Sequence, residues 1–127
     1  MLKYLYLMLF FSFSSCADVY FYPFDRQPYR ERDFYNIKYM CSEKWSVDDF
    51  DITFFNSLIH KGVVVDKFDS NAVRVLIEIY DKNVYIDSGG IASVDLNSGI
   101  KVDINELIIY KDYIKTKALP CREWGDF

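Results

Sequence analysis

The side chains most able to do chemistry are three cysteines, a lone histidine and a short run of acids. A thiolate nucleophile needs a base beside it, and His60 is the single histidine that could serve. Cys41 and Cys121 read more simply as a disulfide. Cys16 sits at the end of an apolar leader and is modified or removed on either route described below, which leaves an even pair for an oxidising compartment. Closing a loop of about 80 residues would stabilise the fold by about 4.5 kcal/mol through the entropy taken from the unfolded chain. Asp48, Asp49 and Asp51 could gather around a hard cation, which wants several oxygens. They also stand where a helix begins, and acids there complement the helix dipole. His60 falls at the far end of the same helix, with no His or Cys within several residues to complete a zinc site.

Asp95, Asn97, Gly99, Asp103 and Glu106 approximate the spacing of an EF-hand calcium loop. Ile100 occupies the position at which that loop requires glycine, Gly99 offers no side-chain oxygen, and the incoming sequence reads as strand. A hairpin turn followed by a helix cap accounts for the same residues. The sequence holds no nucleophile elbow, phosphate-binding glycine loop or zinc-protease helix. Ser88-Gly89-Gly90 reads as a turn. No catalytic residue, metal or cofactor is expected, and the chain is not expected to be an enzyme.

The leader speaks to address. Lys3 precedes an apolar run from Leu5 to Phe13, and Ser14, Ser15, Cys16 and Ala17 follow. That run is shorter than the roughly 20 residues a membrane-spanning helix needs, so residues 1–15 read as a signal peptide. Phe13-Ser14-Ser15-Cys16 resembles the lipobox of bacterial lipoproteins, although that family usually carries Leu where Phe13 stands. The resemblance implies a lipid on Cys16, and Ala17 after it implies an outer-membrane destination facing the periplasm. Ser15-Cys16-Ala17 also presents small residues to an ordinary signal peptidase, with cleavage before Asp18 and a soluble periplasmic or secreted product.

Behind the leader, eleven Tyr and eleven Phe promise a packed core. The formal charge of −4 argues against nucleic acid and leaves any membrane attachment to the lipid on Cys16. Residues 16–33 form an aromatic, arginine-bearing lead-in, in which Pro23 and Pro28 exclude a continuous helix and disfavour a central strand. An edge strand is the expectation there. Residues 34–127 read as one domain. Phe34–Met40 alternates and suggests a first core strand. Ser46 to Asp51 signals a helix start, and Phe50, Phe54, Phe55, Leu58 and Ile59 share one helical face up to Gly62. From Val63 the period becomes two. Val73, Val75, Ile77 and Ile79 alternate with Arg74, Leu76, Glu78 and Tyr80, a strand buried on one side. Short strands then follow at 84–87, 91–94 and 100–102, joined by tight turns, before a helix capped by Asp103. The fold expected is α+β: an antiparallel meander sheet of four to six strands with one or two packed helices.

Size and address favour a protein-binding or inhibitory envelope module, for example an immunity protein or enzyme inhibitor. A structural or assembly-accessory lipoprotein is the alternative, and a small secreted enzyme stands third. The partner is expected to be a protein. Arg26, Tyr29 and Arg30 in the lead-in carry the residue types of binding hot spots, and Asp48, Asp49 and Asp51 could steer a basic partner.

Overall fold

The computed structural model describes residues 18–24, 33–79, 82–114 and 118–121. Among these residues one eight-stranded antiparallel sheet carries three helices, so the architecture is α+β. In chain order the elements are β1 (Asp18–Phe21), α1 (Ile37–Met40), β2 (Glu43–Ser46), α2 (Asp49–His60), β3 (Val63–Val65), β4 (Val73–Ile79), β5 (Lys82–Asp87), β6 (Ile91–Ser93), β7 (Gly99–Lys101), α3 (Ile104–Tyr113) and β8 (Leu119–Pro120). Across the sheet the order is β3-β7-β6-β5-β4-β1-β2-β8. The consecutive run β4 to β7 is the expected meander. The sheet is larger than the four to six strands anticipated, because β1, β2, β3 and β8 extend it on both sides.

Two expectations are corrected here. The lead-in contributes an interior strand: β1 pairs with β4 through Val19–Ile77 and with β2 through Val19–Trp45. It ends at Phe21, before Pro23 would remove a ladder donor, so the proline rule is respected by stopping short. Phe34–Met40 is not a strand. Asp33 accepts the N–H groups of Tyr35 and Asn36 at 2.9 and 2.8 Å, and this local turn leads into a single helical turn in place of an extended segment.

The sheet buries both faces. On one, Val19, Phe21, Trp45, Val75, Ile77, Val84 and Ile86 pack against Phe55 and Leu58 of α2 and Leu107 and Tyr110 of α3. On the other, Tyr20, Tyr22 and Leu76 pack with Ile37 of α1 and Cys41. Arg74 is therefore buried, its guanidinium carbon 5.6 Å from the Tyr22 ring centre. The alternation read in β4 holds, but α1 covers the side assigned to solvent.

Cys41, just after α1, bonds Cys121, just after β8, with their Cα atoms 5.7 Å apart. The bridge holds β8 on the outer edge of β2, where pairing extends over only Glu43–Pro120 and Lys44–Leu119. Among the described residues no helix is long and apolar enough to cross a membrane.

Candidate functional site

α2 starts at the acids as expected, but its cap lies two residues beyond Ser46, which ends β2 instead. Asp48 is the N-cap, and its carboxylate accepts the Asp51 N–H at 3.0 Å while Asp51 accepts the Asp48 N–H at 3.0 Å. This reciprocal pair satisfies two backbone donors that the first helical turn leaves open. The three acids then part company. Asp51 is buried, whereas Asp48 and Asp49 remain exposed, so a partner could touch only those two.

Asp51 belongs to an internal polar chain. Trp45 donates its indole N–H to the Tyr110 hydroxyl at 3.0 Å, and that hydroxyl is in turn hydrogen-bonded to Asp51. Burial raises the Tyr110 phenol above its ordinary value, and the carboxylates of Asp51 and Asp48 push the same way against the Trp45 hydrogen bond. The phenol thus stays protonated and links the sheet to both long helices.

Above this chain lies a concavity between α2 and α3. Phe54 stacks on Tyr110 with ring centres 4.5 Å apart and planes 12° from parallel. These two rings floor a groove of about 330 Å³ whose remaining lining is Phe50, Ile109, Tyr113 and Glu106. Phe50, Ile109 and Tyr113 are 67%, 68% and 75% exposed. Scattered surface apolar groups are ordinary, but three large ones around a single aromatic floor form a contiguous patch of the kind that marks an interaction site. The helices run antiparallel: Lys61 at the end of α2 pairs with Glu106 in the first turn of α3 at 3.0 Å.

A second, larger groove of about 540 Å³ lies near the β8 edge, lined by Asp18, Tyr20, Lys44, Ser46, Asp48 and Leu119 among others. Beside it Tyr20 donates to Glu78 at 3.2 Å, and Lys38 reaches the other Glu78 oxygen at 3.2 Å. Burial raises the Tyr20 phenol, and the Glu78 charge adds to the effect. The polar groups beside this groove are thus engaged with one another, whereas the helical groove is walled by uncovered apolar side chains.

The calcium-like spacing resolves into two local devices. Asp95 accepts the N–H groups of Asn97 and Ser98 at 2.9 and 3.1 Å and the Ser93 hydroxyl at 3.1 Å, and these bonds hold its carboxyl below the usual range. Asp103 caps α3 through the Asn105 N–H at 2.9 Å. Among the described residues no three His, Cys, Asp or Glu side chains gather to hold a metal ion.

Of the anticipated recognition residues, Arg26, Tyr29 and Arg30 lie outside the described residues, as does Cys16. The sequence reading passed over Ile109 and Tyr113 and placed Phe50 on the buried face. A signal was present. Apolar side chains occur all around α3, at Ile104, Leu107, Ile108, Ile109, Tyr110, Tyr113 and Ile114, which is more than one buried stripe requires. No protein-family model, curated protein or solved structure matches the chain.

Proposed function

We propose that the chain is a small protein-binding module of the bacterial envelope, acting as an inhibitory or immunity-type partner. The exposed groove between α2 and α3 would be its recognition face. The carrying observation is the uncovered ring of Phe50, Ile109 and Tyr113 over the Phe54–Tyr110 floor. Aromatic side chains around a shallow pocket supply much contact area with few rotors to freeze, which is the anatomy of a binding hot spot. The leader supports the address: export, with a lipid on Cys16 or release of a chain beginning at Asp18. Intact-mass measurement of membrane and soluble fractions separates these two routes.

The function is tested by affinity capture from bacterial envelope extracts, comparing the wild-type chain with Phe50→Ser/Tyr113→Ser. A partner retained by the wild type and lost by the variant, with unchanged circular dichroism, supports the groove. Equal recovery by both chains refutes it. Arg26→Ala/Tyr29→Ala/Arg30→Ala in the same experiment tests whether the lead-in adds to recognition.

A further inference from the structure

We propose that β8 is a redox-set strap. The Cys41–Cys121 bond holds it over the outer edge of β2, and reduction releases it and opens that edge while the rest of the sheet stays folded. The two strands are anchored very differently. β2 makes four register pairs with β1, its buried Trp45 donates to the Tyr110 hydroxyl at 3.0 Å, and its Glu43 pairs with Lys111 of α3. It is therefore seated without its outer neighbour. β8 has little of its own. Pro120 carries no N–H, so the ladder rests on Leu119 opposite Lys44 and on the Cys121 N–H, which donates to the Ser42 carbonyl at 3.3 Å. Leu119 and Pro120 are exposed, and Ala118 and Cys121 are the strap residues packed against the described cores. Ordering a segment costs conformational entropy at every residue, and so few contacts do not offset it. The covalent link does, by keeping the segment beside its docking place at high effective concentration.

The bond is reachable from one side, since Cys41 is buried and Cys121 is half-buried. A dithiol reductant supplies the two electrons. Its thiolate attacks the Cys121 sulfur, the bridge breaks, and Cys41 leaves as a thiolate that takes a proton. The second thiol of the reductant then displaces Cys121 as the reductant closes its own disulfide. Cys41 Sγ lies 3.7 Å from the Lys38 carbonyl oxygen, so the buried thiol formed there has an acceptor in place. Cys121 leaves with β8. The opened edge presents unpaired main-chain groups of β2, the template to which extended chains add. A chain kept reduced thus shows a bare sheet edge that oxidation seals, independently of the α2–α3 groove.

The test follows amide exchange of the processed wild-type chain before and after reduction with excess dithiothreitol, and again after reoxidation, beside Cys41→Ser/Cys121→Ser. Reduction should speed exchange at least tenfold at Lys44 and across residues 119–121, leave the β4 and β5 amides protected, and reverse on reoxidation. The variant should match the reduced chain. Iodoacetamide should modify Cys121 of the reduced chain as fast as a thiol in an unstructured peptide, and Cys41 at least tenfold more slowly. Unchanged exchange at Lys44 after complete reduction would show that β8 docks without the bond and would overturn the strap. Exchange that accelerates equally in β4 and β5 would overturn it too, because reduction would then unfold the sheet. Equal alkylation of both cysteines would overturn the release of Cys121 from a seated Cys41.

Discussion

Severing the Cys41–Cys121 bridge should be costly to this fold, and its size reports how β8 is held. The cysteines are 80 residues apart, so loop closure in the unfolded chain is worth about 4.5 kcal/mol when the native ends meet unaided. They meet with little help. β8 adds two register pairs, Leu119 is exposed, and one backbone bond joins Cys121 N–H to the Ser42 carbonyl at 3.3 Å. If β8 stays docked in Cys41→Ser/Cys121→Ser, the full loss should appear. An unfolding entropy of about 2 cal/mol/K per residue over about 100 residues converts it to a fall of about 20 °C in melting temperature. If the bond itself holds β8 down, the oxidised native state also carries an ordering cost. The loss then shrinks, and amide exchange accelerates at β2 and β8 alone. Thermal melts paired with hydrogen exchange read both quantities. A fall under about 3 °C, with exchange unchanged, would refute the loop-closure reasoning.

Three further outcomes follow from the buried polar chain and from one strained turn. Tyr110→Phe removes the acceptor of the Trp45 indole N–H, leaves a buried donor open, and should cost about 1–3 kcal/mol in denaturant melts. Because burial raises the Tyr110 and Tyr20 phenols above the ordinary value of 10.0, the unfolded chain ionises first as pH climbs. Their contribution is whole below pH 10.0 and should be lost progressively above it, and ultraviolet titration should show both phenols lagging the exposed tyrosines. Leu96 holds a left-handed φ of 69° at the Asp95 turn. Asn tolerates that region better, so Leu96→Asn should raise stability by up to about 1 kcal/mol, and a lowered melting temperature would refute the strain argument.

The parts of the fold readable from sequence are those determined locally. β4 announces itself through alternating Val and Ile, and the short strands after it through the turns between them, such as Ser88-Gly89-Gly90, where Gly90 takes φ +83°. α2 is announced by acids in its first turn and α3 by Asp103, because caps act within three or four residues. Strand β8 is two residues long, too short to carry a period, and exists because the distant β2 pairs with it. The burial of Arg74 depends on α1, whose single turn is set by Asp33 in a stretch that alternates like a strand. The disulfide was accessible by counting cysteines. The helical groove was hidden for a different reason: periodicity identifies which residues could face a core, and α3 carries more of them than the sheet can cover.

The seat of β1 between β4 and β2 makes the first described strand a keystone. On one side stands the run β3-β7-β6-β5-β4 and on the other the pair β2-β8, and among the described residues the two halves of the sheet pair only through residues 18–21. Their partners are distant, with Tyr20 opposite Leu76 on one flank and Lys44 on the other. Deleting four residues there would divide the sheet into two unjoined pieces, a greater injury than trimming either edge. Assembly inherits the same dependence. The meander can zip from its own turns, but the sheet closes only when the N-terminal strand has found the middle, and such long-range pairings place folding in the millisecond-to-second range typical of non-local β topologies.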